Sequence, residues 1–128
     1  MRWLLRLKIP LLTKKIIDYS LFIIVLDEAE LKEKCVEILK TIYDPEIPVD
    51  IYELGLIYEV NILPINNIQV VMTLTAPGCP AAQTLPVEVD QKLRQIEEVN
   101  DVHVAVTWNP PWDKSMMSEV AQLELGWL

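Results

Sequence analysis

The stretch Ile68–Pro80 constrains this chain more than any other. Ile68, Val70, Met72 and Leu74 alternate with Gln69, Val71, Thr73 and Thr75, the period-2 pattern of a half-buried strand. The residues that follow, Ala76-Pro77-Gly78-Cys79-Pro80, stop that strand. Pro77 has no N–H to give to a ladder. Gly78 can reach backbone angles closed to other residues. Pro80 fixes a φ that suits the first turn of a helix. A strand therefore runs in, a helix runs out, and Cys79 stands between them, just before helical N–H groups that lack partners. Those groups and the helix dipole favour a thiolate by about 0.3–1 kcal/mol, under one pKa unit. Cys79 then has two readings: a thiol made reactive by its position, or a small buried apolar residue, as free cysteines usually are.

The 128 residues suffice for one domain with a modest core, and a hydrophobic content of 52% argues against disorder. Charge is unevenly spread. Residues 1–26 hold five basic side chains (Arg2, Arg6, Lys8, Lys14, Lys15) and one acid (Asp18), a net of +4, so the total of −8 leaves −12 on residues 27–128. A body that acidic repels phosphate backbones, which argues against nucleic-acid binding. The two cysteines, Cys35 and Cys79, sit in different contexts and make no disulfide framework. A reducing, cytoplasmic location is expected.

Taken in order, residues 1–26 are apolar and basic, with Pro10 in the middle. The run Leu21–Leu26 is too short to span a bilayer. It leads into Asp27-Glu28 without a small-residue cleavage site, so a secretory signal is not expected. These residues read as an extension outside the domain, with an amphipathic surface anchor as the alternative, and residues 27–128 read as the domain. Asp27 and Glu30 form a capping-box-like pair. Leu31, Cys35, Ile38, Leu39 and Ile42 make one apolar helical stripe, which puts Cys35 in the core. Asp44-Pro45 should end that helix. In the loop that follows, Asp44, Glu46 and Asp50 lack the spacing of a cation site and read as acids that shape a turn.

Leu56–Leu63 reads as a strand with Leu56, Tyr58, Val60 and Ile62 on one face. The turn Pro64–Asn67 joins it to the strand of residues 68–75. After Cys79 a short turn through Gln83 is expected, with Pro86 starting the next helix. Val89, Leu93 and Ile96 are its buried stripe, and its end is expected near Val99-Asn100. Val102, Val104, Val106 and Trp108 alternate as a third strand, with His103 on the other face. Trp108 and Trp112 flank a rigid Asn109-Pro110-Pro111 turn and either cover the core edge or offer a stacking surface. A last helix opens at Ser115–Glu119, with Val120, Leu123 and Leu125 facing in and Gly126 stopping it. This order predicts an α+β, two-layer αββαβα domain: a three-stranded mixed sheet with helices on one face. The second and third strands should be joined by a right-handed parallel crossover.

Three blocks then stand together: Asp44-Pro45-Glu46 with Leu54-Gly55-Leu56-Ile57-Tyr58; Thr75-Ala76-Pro77-Gly78-Cys79-Pro80; and Pro110-Pro111-Trp112 with Met116-Met117-Ser118-Glu119. In this order and spacing they resemble the SufT and PaaD-like family, which includes the eukaryotic cytosolic iron–sulfur targeting subunits. The resemblance covers residues 28–128. The long C-terminal block is more similar to the SufT branch, because PaaD-like proteins tend to carry a cysteine-rich tail and this chain has no cysteine after Cys79.

The resemblance implies a role in iron–sulfur protein maturation, a fold like that of iron–sulfur assembly scaffold domains, and a reactive cysteine at Cys79. Its motif neighbours would be Asp44, Glu46, Thr75, Pro77 and Pro80, and a partner surface is expected at Trp108, Trp112, Met116 and Met117. Expected partners are the assembly machinery and apo client proteins; a homodimer through an exposed strand edge also fits. A stable cluster usually takes four protein ligands, mostly thiolates. Cys79 alone is therefore expected to hold iron or a cluster only in transit, with no stably bound cofactor. No base stands at motif spacing from Cys79, so an enzyme is not expected. A pure adaptor with an inert cysteine and a thiol-based redox protein are the rivals. The Cys79 sulfur is expected at the end of the second strand, partly open to solvent, with the loop 44–53 close by.

Overall fold

The structure is a computed structural model. It describes the backbone of residues 16–78 and 81–127 and the side chains of 27–78 and 83–127. Helix α1 (Ile16–Leu39) is followed by strands β1 (Ile57–Leu63) and β2 (Asn67–Met72), helix α2 (Ala81–Arg94), strand β3 (Asp101–Val106) and a short helix α3 (Glu119–Glu124). The sheet order is β1-β2-β3. β1 and β2 are antiparallel; β2 and β3 are parallel, from Asn67 opposite Asp101 to Met72 opposite Val106. The expected α+β architecture with a small mixed sheet is the observed one.

The core follows the two periodicities. Leu31, Cys35, Leu39 and Ile42 are buried along and just after α1, and Leu85, Val89 and Leu93 along α2. They close over Ile68, Val70 and Met72 of β2 and Val60 of β1. The Lys34–Glu98 ion pair ties α1 to the turn after α2. Arg94 pairs with Asp90 and, at 2.7 Å, with Asp101, while its Nη2 donates to the Val102 carbonyl at 2.9 Å. That guanidinium fixes the start of β3 against α2.

Several local expectations are corrected. α1 does not start at an Asp27 cap: its bounds are Ile16–Leu39. Asp44-Pro45 does not end it either, because the chain already leaves the helix through tight turns at Thr41 and Ile42. Pro86 lies inside α2, not at its start; the helix forgoes one backbone bond there while Leu85 beside it is 2% exposed and packs in the core. α2 also stops at Arg94, and Gln95–Val99 continues as separate tight turns. Tyr58 does not share a face with Val60. The register slips between Ile57 and Glu59, so Ile57 stands opposite Met72 and Tyr58 is the extra residue of a bulge. In α3 the inward residues are Ala121 and, at half burial, Leu125; Val120 and Leu123 are exposed at 60% and 66%.

The β1–β2 connection has an unusual backbone. Ile65 sits at φ 54 and Asn66 at φ 57, a region that β-branched residues seldom occupy. Asn66 suits it, and its Nδ2 also donates to the Glu98 carbonyl at 3.0 Å. Ile65 is 76% exposed, so its side chain contributes little burial to offset the backbone strain. Ile65→Asn is expected to raise the unfolding free energy by about 0.5–1 kcal/mol, read as a higher urea midpoint with an unchanged slope.

Candidate functional site

The site is built at the C-terminal end of β2. The Thr73 N–H donates to the Leu56 carbonyl at 2.8 Å, and the Thr107 N–H donates to the Met72 carbonyl at 2.8 Å. The strand end is thereby gripped from both sides. Leu74 is buried, Thr75 is half-buried, and Ala76, Pro77 and Gly78 are exposed. A fully anchored strand therefore delivers its turn to the surface. Gly78 has no left-handed φ and a Cβ on it would meet nothing within 4 Å, so the freedom expected of it is not used. Cys79 and Pro80 lie outside the described residues, as does the expected approach of the acidic loop to Cys79.

The loop of residues 44–53 is held by its own aspartates. Asp44 is 6% exposed, and its Oδ2 accepts from the N–H groups of Glu46 and Ile47, both at 2.9 Å. Asp50 repeats the device: its Oδ2 accepts from Tyr52 N–H at 3.1 Å and Glu53 N–H at 3.0 Å. A bridge between Tyr43 and Asp50 closes the loop's base. These carboxylates satisfy backbone donors and hold two turns in shape. Glu46 is exposed. Among the described residues no three His, Cys, Asp or Glu side chains group together as a metal site would need.

The C-terminal segment docks on the same end of the sheet, against Gly55, which the sequence places in a motif block without giving it this role. Gly55 has φ +84, and a Cβ there would overlap the Met116 carbonyl oxygen and lie 2.8 Å from its carbon. Around that contact Trp112 Nε1 donates to the Leu54 carbonyl at 2.8 Å, and Ser118 N–H donates to the Glu53 carbonyl at 2.9 Å. The Tyr58 hydroxyl donates to the Pro110 carbonyl at 2.8 Å and lies 3.5 Å from Met116 Sδ. A shallow groove of about 700 Å³ remains between this segment and the sheet, lined by Tyr58, Glu59, Val71, Thr107, Asn109 and Met116.

The expected partner surface therefore divides. Met117 is 4% exposed and belongs to the core, because the segment turns it inward beside Ala121. Trp112 is half-buried and acts as a cover for the core edge. Met116 is half-buried with its backbone against Gly55. Trp108, at 41% exposure, stays on the surface. The signals for this docking in the sequence are Trp112, read as a cover for the core edge, and a glycine, Gly55, between two apolar residues.

Cys35 has the environment expected of a core residue. It is 0% exposed, and burial pushes its thiol up from 9.0 to about 11. Across that interval the folded chain keeps a proton that the unfolded chain has lost, so stability falls as pH rises. Between pH 9 and 11 wild type is expected to lose about 2 kcal/mol of unfolding free energy relative to Cys35→Ala, measured by urea unfolding at each pH. Gly55→Ala is expected to lose about 2–4 kcal/mol, since it meets both a left-handed φ and a backbone carbonyl. The Trp112 fluorescence should then report a loosened tail.

Residues 32–106 match the family described as iron-sulfur cluster assembly protein. A Fe-S protein maturation auxiliary factor from Porphyromonas gingivalis is 48% identical over 97 residues, covering 76% of this chain and 92% of the relative. The Fe-S protein maturation auxiliary factor SufT of Staphylococcus aureus is 42% identical over 85 residues, covering 66% of this chain and 97% of the relative. Among solved structures, a domain of unknown function, DUF59, from Bacillus anthracis superposes with a TM-score of 0.74 at 39% identity, covering 80% of this chain and 97% of that one. With a match that spans more than half of the sequence, and with relatives aligned over nearly their full length, this chain belongs to the iron–sulfur cluster assembly protein family.

Proposed function

We propose that this chain is an auxiliary factor in the maturation of iron–sulfur proteins, that it works through the Cys79 thiol, and that it catalyses no reaction of its own. The observation that carries the reading is the end of β2: three buried residues in a row, Met72, Thr73 and Leu74, lead to a turn whose Ala76, Pro77 and Gly78 are exposed. Family membership supplies the cargo class, an iron–sulfur cluster or its iron or sulfur. A single thiol provides one of the roughly four ligands that a cluster needs. In this reading Cys79 holds cargo only while a donor or an apo client supplies the rest. The cytoplasm, where thiols stay reduced, suits that role. Among the described residues no helix is long and apolar enough to cross a membrane.

A second reading, a pure adaptor with an inert cysteine, has its own support. Trp108, Val120, Leu123 and Trp127 expose 41%, 60%, 66% and 43% of their surface, more apolar area on one terminal segment than a free-standing tail needs. A homodimer is the third contact mode, through the edge of β1 or β3.

Deleting the gene is expected to lower the activity of cluster-dependent enzymes, with protein levels unchanged. Cys79→Ser should behave like the deletion. Full cluster occupancy in the deletion strain would overturn the maturation role, while full complementation by Cys79→Ser would leave the adaptor standing.

A further inference from the structure

The sheet has two outer edges, β1 and β3, and the fold treats them differently. The Thr107 N–H bonds to the Met72 carbonyl, so alternation turns the N–H and C=O of Val102 away from β2. Both groups are taken by side chains: Asp101 Oδ1 accepts from the N–H and Arg94 Nη2 donates to the C=O, each at 2.9 Å. The β3 edge is blunted there. On the other side the Thr73 N–H bonds to the Leu56 carbonyl, so Val71, Gln69 and Asn67 also bond toward β1. Their partners are Glu59, Asn61 and Leu63. Val60 and Ile62 between them therefore turn their N–H and C=O outward, and among the described residues nothing bonds to those groups. β1 contains no Pro, Lys or Arg, the usual guards of an edge. Its bulge at Tyr58 sits at one end and leaves Glu59–Leu63 regular. Two shallow cavities of about 260 and 500 Å³ lie between α1 and this edge; they meet at Lys32, Val60 and Asn61 and reach from Ile57 to Leu63.

We propose that β1 is the pairing edge for a second copy of this chain, antiparallel about a two-fold axis at Asn61, so that one continuous sheet runs through both copies. This narrows the homodimer named above to one edge and one register, and it does not rest on the maturation role. The register follows from the outward groups. An axis at Asn61 sets Val60 opposite Ile62 of the second copy, and each such pair exchanges bonds in both directions. An axis at Ile62 would set Val60 against Pro64, which has no N–H, and an axis at Val60 would set Ile62 against the bulged Tyr58. The side chains agree with the chosen register. Val60 and Ile62 belong to the helix side of the sheet and meet apolar neighbours. On the other face Asn61 meets Asn61, and Glu59 meets Leu63, so no like charges are opposed. Glu59 is the one charge on β1. A near-neutral edge gives a charged peptide little to recognise, whereas it lets two acidic copies approach without a clash at the contact itself.

The test is sedimentation of the purified full-length chain over a range of concentrations, at low and high salt. Wild type is expected to pass from single copies to pairs as concentration rises. Salt should favour the pair, because it screens the net −8 that each copy carries. Asn61→Asp alone and Asn61→Lys alone place like charges across the axis, and each should weaken pairing roughly threefold to tenfold. An equimolar mixture of the two brings opposite charges together and should pair at least as tightly as wild type. Recovery in the mixture also shows that both variants are folded, and circular dichroism of each checks this separately. A wild-type chain that stays single at every concentration would overturn the proposal. So would pairing that is unchanged in either variant, pairing that salt weakens, or folded variants whose mixture does not recover; each of these outcomes would place any contact on another surface. Sedimentation involves no client, so loss of the maturation role in the deletion strain leaves this assignment standing.

Discussion

In an extended segment, successive side chains point to opposite faces. Met72, Thr73 and Leu74 are nonetheless 0%, 0% and 2% exposed. Three such residues in a row require cover on both faces of the strand at once. One cover is the helical layer, with Leu39 of α1 and Leu93 of α2 in the shared core. The other has to come from the segment after β3, which crosses the sheet end with its Met116 carbonyl against Gly55. The strand is also bonded along both edges, to Leu56 on one side and to Thr107 on the other. The double cover leaves the end of β2 little freedom, so the turn that follows starts from a fixed point. The C-terminal segment holds to Glu53, Leu54 and Gly55, just ahead of β1, and each of these contacts uses a backbone atom of that stretch.

That choice of backbone explains the use of acids. Asp44 and Asp50 each bind two N–H groups within three residues of themselves. Neutral side chains could make similar turns, but a carboxylate makes the stronger, charge-assisted bond to each N–H. The consequence is negative charge fixed in the loop of residues 44–53, on a body that is already at −12 outside residues 1–26.

Much of the fold was legible because two periods are written plainly in the sequence. The stripes of Leu31, Cys35 and Leu39 and of Val89 and Leu93, and the alternation of Ile68, Val70 and Met72, are all buried as their spacing predicts. Pattern reading failed where a single residue breaks a period for a tertiary reason. The bulge at Tyr58 shifts a register that alternation alone continues. Pro86 is tolerated inside α2 because Leu85 is anchored in the core. α3 turns Ala121 inward and leaves Val120 and Leu123 outside, since a six-residue helix is oriented by how its ends are tied, here by Ser118 to Glu53. At the candidate site Gly55 stands inside a motif block, but its role there was not legible: what marks it is a contact with the Met116 carbonyl, which has no signature in composition or period.

The two cysteines show what the fold adds to residue identity. Cys35 is enclosed, and burial alone moves its thiol far above the neutral range. Its position on the apolar stripe of α1 decides the outcome. Cys79 follows an exposed turn and precedes a fourteen-residue helix. One thiol on a small acidic domain makes an incomplete binding site. In the proposed role that incompleteness is functional, because a site with all of its ligands would hold a cluster too tightly to pass it on. In that role a lone ligand binds only when a second protein completes the shell, so release of the cargo would be tied to the identity of the partner.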